Sequence, residues 1–107
     1  MAVSQAEVRK IALALPGSIE APHFDRTSFR AVRDKSARIF ATMPADGGSL
    51  NVFVDHATIE EGLVRYAPCA EKLFWGKRVC GLKLTLAAAT RTTVKALLFA
   101  AHKHAIR

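Results

Sequence analysis

Arg38-Ile39-Phe40-Ala41-Thr42-Met43, then Pro44-Ala45-Asp46-Gly47-Gly48, then Ser49-Leu50-Asn51-Val52-Phe53-Val54 is the stretch on which the reading of this chain turns. Apolar and polar or small residues alternate on both sides of a turn rich in Pro, Asp and Gly, which is the pattern of two antiparallel strands. Strict period two places Ile39, Ala41 and Met43 on one face with Leu50, Val52 and Val54. The opposite face then carries Arg38, Phe40 and Thr42 with Asn51 and Phe53.

Toward the amino terminus, Asp34-Lys35-Ser36 separates this pair from another strand, Thr27 to Arg33, which makes a three-stranded meander. Ser18 to Asp25 has no period and reads as a loop. Before it, Ser4 and Glu7 form an S-x-x-E capping box, and Val8, Ile11, Ala12 and Leu15 recur at helical spacing until Pro16-Gly17. Toward the carboxyl terminus, Asp55 caps a second helix that runs through Ile59, Leu63 and Tyr66 and stops at Pro68, with Thr58 and Glu61 as a second possible box. Glu71 to Trp75 and Val79 to Leu86 read as a hairpin turned by Trp75-Gly76-Lys77-Arg78. A last helix starts near Ala88 to Thr90 and reaches about His104. The expected order is α-β-β-β-α-β-β-α: an α+β two-layer sandwich, its five-stranded antiparallel sheet covered by helices on one face and open on the other. No linker or repeat divides it, so residues 1–107 are read as one domain.

Leu82, Leu84 and Leu86 join the core side, while Gly81, Lys83 and Thr85 join the open side, with Ser28 and Arg30 from the first strand. In the last helix Val94, Leu97, Leu98 and Ala101 form the inward stripe, and Arg91, Lys95, Phe99 and His102 lie on its flank.

The formal net charge is +7, and its placement is uneven: from Lys72 to Arg107 there are eight Lys or Arg and no Asp or Glu. A field of that sign attracts polyanions and argues against an acidic cation-binding ridge. Basic side chains interleaved with aromatic ones on an open sheet suit single strands, because rings stack on bases and cations follow phosphates. The residues expected to contact nucleic acid are Arg30, Arg38, Phe40, Phe53, Lys77, Arg78, Lys83, Arg91 and Lys95. The same surface also suits a protein partner, with Phe40, Phe53 and Trp75 as anchors.

Catalytic, metal and cofactor chemistry find little purchase. His102 and His104 point about 200° apart on a helix and cannot chelate one metal. They read as surface residues near a frayed end. His23 could be oriented by Asp25, but no nucleophile is assigned beside it; a small-molecule pocket near His23, Asp25 and Trp75 is the least favoured reading. Cys69 and Cys80 are too far apart for a Cys-x-x-Cys motif and read as reduced, mostly buried thiols. Gly47-Gly48 lacks the frame of a phosphate loop, and no dinucleotide fingerprint is present. No catalytic residue, metal ligand or cofactor is therefore assigned. The amino-terminal segment lacks the apolar core of a secretory signal and no stretch reaches membrane-spanning length, so a cytoplasmic protein without a membrane partner is expected, as a monomer or weak homodimer.

Leu13-Ala14-Leu15-Pro16-Gly17, Pro22-His23 with Phe29-Arg30, Ile39-Phe40-Ala41-Thr42, Trp75-Gly76, Leu82-Lys83-Leu84 and Leu97-Leu98, in that order, resemble the MmcQ/YjbR-like proteins over nearly the whole chain. The resemblance implies a fold similar to bacterial frataxin, called CyaY-like, and a role in DNA binding through a double-wing arrangement. The wings would be the hairpin tips Pro44 to Ser49 and Trp75 to Arg78. The chain departs from that family where a tryptophan usually stands early in the last strand, since Val79-Cys80-Gly81 occupies the place. Frataxin's iron chemistry is not expected here, because the first helix offers Glu7 against Arg9 and Lys10.

Overall fold

A computed structural model describes residues 2–45 and 47–107. Its elements run α1 (Gln5–Leu13), β1 (Ser18–His23), β2 (Arg26–Arg33), β3 (Ser36–Met43), β4 (Ser49–Val52), α2 (His56–Arg65), β5 (Ala70–Trp75), β6 (Arg78–Thr85), a short 3₁₀ turn over Leu86–Ala88, and α3 (Arg91–Ala105). The helix starts follow from capping. Ser4 and Glu7 close the box on α1, the Thr58 amide donates to Asp55 at 2.9 Å, and the Thr93 amide donates to Thr90 at 3.2 Å.

The sheet is antiparallel throughout, but it has six strands, in the order β1-β2-β3-β4-β6-β5. The five-strand expectation fails at Ser18–His23, read as a loop and found as an edge strand paired with β2 from Ser18 opposite Ala31 to His23 opposite Arg26. Pro22 disguises it; an edge strand tolerates a residue without an amide proton. Arg9 on α1 donates to Glu20 on β1 at 2.8 Å and ties the helix to that edge.

The helices cover one face. Val8 and Ala12 of α1, Ile59 of α2 and Val94, Leu97, Leu98 and Ala101 of α3 close over Phe29, Ala31, Ala41, Leu50, Val52, Leu82 and Leu84. Two irregularities reset the alternation. Phe29 pairs with Ala41 but Arg30 pairs with Ile39, so Phe40 is an extra residue in β3; Leu73 pairs with Gly81 but Phe74 pairs with Val79, so Cys80 is an extra residue in β6. A bulge turns the strand by one residue, and side chains beyond it exchange faces. Phe40 is accordingly fully buried on the helix side, with its ring centroid 5.4 Å from that of His102 and 6.5 Å from that of Phe29. Arg38 falls opposite Ala31 near the end of α3, and Ile39 falls opposite Arg30 on the other face. The expectation that Arg38 and Phe40 share the open face with Thr42, and that Ile39 lies in the core, is thus corrected.

His102 is also corrected: it is buried at 5% exposure, and its Nε2 lies 2.7 Å from the Pro16 carbonyl oxygen, which joins α3 to the turn after α1. Substituting His102→Ala is expected to lower the unfolding free energy by about 2 kcal/mol, from one buried hydrogen bond and one edge-on aromatic contact, read by chemical denaturation. Gly81 sits where β4 and β6 approach most closely: a Cβ there would overlap the Val52 carbonyl. Gly81→Ala is therefore expected to cost about 1 to 3 kcal/mol in the same measurement. Gly62→Ala should come out nearer neutral, since its one close overlap is with the end of the Leu82 side chain and it gains helix propensity.

Candidate functional site

Across the face left open by the helices runs one continuous cross-strand row: Ala21, Ser28, Thr42, Asn51, Lys83 and Glu71, one residue from each strand in register. Its middle members are short and polar, and they are buried despite facing away from the helices, at 0% for Ser28, 3% for Thr42 and 5% for Asn51. Longer side chains rise around them and make a trough. Ser28 donates to the Ala21 carbonyl at 2.8 Å and accepts from Arg30 Nε at 3.1 Å, while Asn51 Nδ2 donates to Thr42 Oγ1 at 3.2 Å. Asn51 Oδ1 is buried and has no partner.

At one end the trough deepens into a cleft of about 410 Å³. Thr42 and Asn51 contribute to its lining, and the walls are His23, Phe24, Asp25 and Arg26 on one side with Phe53, Leu73, Phe74 and Trp75 on the other, so the fold does bring His23, Asp25 and Trp75 to one cleft. Two hairpin turns supply the outermost rings, Phe24 at 92% exposure and Trp75 at 80%. Phe24 is held at φ 58°, a left-handed conformation that costs a non-glycine residue about 1 kcal/mol or more. The β1–β2 turn therefore keeps a strained residue whose ring gains little burial; its edge-on contact with His23, at 4.8 Å between centroids, is a small return. Cys80 also lines the cleft, but burial pushes its thiol pKa up, so it is a neutral thiol rather than a reactive thiolate. Among the described residues no three His, Cys, Asp or Glu side chains gather into a metal-holding group.

The cations of the carboxyl-terminal third do not form one patch. Lys83 stands on the open face beside Asn51, opposite Glu71, and Lys77 and Arg78 stand at the β5–β6 tip next to Trp75. Arg91 and Lys95 are on the helix layer, where they border a groove between α1 and α3 with Lys10, Ile11, Leu15 and Phe99, and Arg91 pairs with Glu7 at 3.2 Å. Arg107 lies 3.4 Å from Asp55, whose carboxyl is held below its usual range chiefly by hydrogen bonds from Thr58.

Of the residues expected at the interface, the fold brings Arg30, Phe53 and Lys83 to the open face and Lys77 and Arg78 to the β5–β6 tip, where Arg78 lines a separate cleft with Asp55, His56 and His104. It takes Phe40 into the core, Arg38 to the end of α3, and Arg91 and Lys95 to the other layer. Sequence reasoning passes over Phe24 and Arg26. The signal for them was the two-residue turn Phe24-Asp25, hidden once Ser18 to Asp25 is taken as a loop. No helix among the described residues is long and apolar enough to cross a membrane.

No protein-family model matches the chain. No curated protein matches it either. Among solved structures, the crystal structure of Deinococcus radiodurans protein DR2400, a DUF419 domain, is similar at a TM-score of 0.77, covering 92% of this chain and 75% of that one at 18% identity. At that identity the likeness shows a shared α+β fold, with its antiparallel sheet and helices.

Proposed function

We propose that this chain is a binding module, not an enzyme, and that it takes single-stranded nucleic acid along the open sheet face. The observation that carries the reading is the pair of strongly exposed rings, Phe24 and Trp75, at the mouth of a cleft lined by Arg26, with Arg30 and Lys83 on the same sheet face. Exposed rings held on rigid turns stack on bases of any sequence, and cations spaced around them follow the phosphates. The resemblance to the MmcQ/YjbR-like proteins, with their CyaY-like fold and double-wing DNA binding, supports the same reading. The β5–β6 tip, Trp75 to Arg78, would be one wing. The other expected wing, Pro44 to Ser49, includes Asp46, which lies outside the described residues.

The interface proposed here differs from a basic carboxyl-terminal third, because Arg91 and Lys95 belong to the helix layer. A protein partner on the same rings is the second reading, favoured by the apolar character of Phe24, Phe74 and Trp75, which are exposed together.

A salt titration of labelled single- and double-stranded DNA and RNA, between about 50 and 200 mM, separates the two. Single strands should bind best, with log affinity falling linearly with log salt. Removing Lys77 and Arg78 together should reduce that slope by about 1.4, the value for two lost phosphate contacts on a single strand. Phe24→Ala or Trp75→Ala should weaken binding by about 1 to 3 kcal/mol without changing the slope. Removing Arg91 and Lys95 should leave affinity unchanged. Affinity that does not respond to salt rejects the nucleic-acid reading in favour of a protein partner.

A further inference from the structure

The trough floor carries a polar arrangement that stacking and charge leave unexplained. Asn51 is 95% buried, its Nδ2 is engaged by Thr42, and its Oδ1 has no partner. A buried carbonyl left unpaired costs about 1 to 3 kcal/mol, so its retention in a well-packed sheet calls for a reason. Turning the amide over does not remove the problem. Thr42 Oγ1 would then donate to the oxygen, and the Nδ2 protons would be left unpaired instead. Thr42 is in the matching position: its hydroxyl accepts from Asn51, and among the described residues its own proton has no acceptor. The two side chains are in register on adjacent strands and both line the cleft. Together they present one acceptor and one donor side by side at the bottom of an aromatic-walled slot.

We infer that this pair is a seat for the hydrogen-bonding edge of a single nucleobase, inserted edge-first between the rings. The inference rests on the nucleic-acid reading above and deepens it. A base edge carries an N–H donor beside a ring-nitrogen or carbonyl acceptor, which complements Asn51 Oδ1 and the Thr42 hydroxyl, and its flat faces match the slot between Phe24 and His23 on one side and Phe53 and Trp75 on the other. Because all the common bases present an adjacent donor and acceptor, the seat discriminates bases from apolar planar groups rather than one base from another. Both floor groups are nearly closed to water, so the side chains packed over them must part to admit the edge.

The test compares an oligothymidylate with an oligomer of equal length in which thymine is replaced by difluorotoluene, an isostere of the same shape that lacks strong hydrogen-bonding groups. The seat predicts that the natural oligomer binds roughly tenfold tighter, the discrimination of one good pair of base hydrogen bonds. Thr42→Val should abolish the difference while leaving the salt slope intact, and Thr42→Ser, which keeps the hydroxyl, should retain it. Thermal melts of both variants confirm the fold. Equal binding of the two oligomers by the parent protein overturns the seat and leaves the interface standing, and so does a difference that persists in Thr42→Val. Failure of both oligomers to bind at low salt overturns the interface and the seat together.

Discussion

One extra residue in β3 sets the character of both faces of the sheet. If Phe40 kept strict alternation, its ring would stand in the middle of the open face and an arginine would lie there beside it. The bulge sends Phe40 into the core against Phe29 and His102, and Ile39 takes its place on the open face opposite Arg30, beside the row of Ser28, Thr42 and Asn51. The core gains a large ring under α3, and the open face carries an aliphatic side chain instead of that ring next to its strip of short polar residues. A trough exists because the middle of that row is low and its surroundings are high. The second irregularity, at Cys80, and the absent side chain of Gly81 extend the low ground where Val52 and Phe53 approach β6.

This arrangement also separates the charge into regions with different company. On the helix layer Arg91 has Glu7 and Arg107 has Asp55, so part of the excess positive charge is engaged within the fold. Around the trough the partners are weaker: Arg26 is 3.7 Å from a largely exposed Asp25, and Lys83, opposite Glu71 in register, has no ion pair among the described residues. Exposed pairs of this kind contribute little to stability, so these cations can exchange their partners for a ligand's phosphates at small cost. Net charge read along the chain does not reveal such a division, since it depends on which layer each residue joins.

Local rules were legible and register was not. The Ser4–Glu7 box, Asp55 as a cap, the inward stripe of α3 and the core positions of β4 and β6 all follow from nearest-neighbour chemistry and period, and the structure holds them there. The sixth strand was missed because Pro22 weakens the strand signal while costing an edge strand nothing. Phe40, Arg38 and Ile39 were placed on the wrong faces because a single bulge leaves no trace in the alternation that it interrupts. His102 lies one turn from a helix end and reads as a surface residue; in the fold it packs on Phe40, itself moved by the bulge, and bonds to the Pro16 carbonyl. The candidate site was therefore half legible: Arg30, Phe53, Lys77, Arg78 and Lys83 came from parity and turn chemistry, whereas the roles of Phe24, Thr42 and Asn51 required the register.

The close approach of β4 and β6 limits where rings can border the cleft. In β6 a side chain at Gly81 would collide with the backbone of Val52. A large residue there would need the β4–β6 pair to open. The rings instead come from the two turns that border the cleft, Phe24 from one and Trp75 from the other, each projecting over a floor that Gly81 keeps low. The left-handed backbone at Phe24 fits this account, because a turn optimised for stability alone would carry glycine or asparagine at that position. Strain at the turn and an unpaired amide on the floor lie on the same cleft, and the base seat proposed above makes use of both.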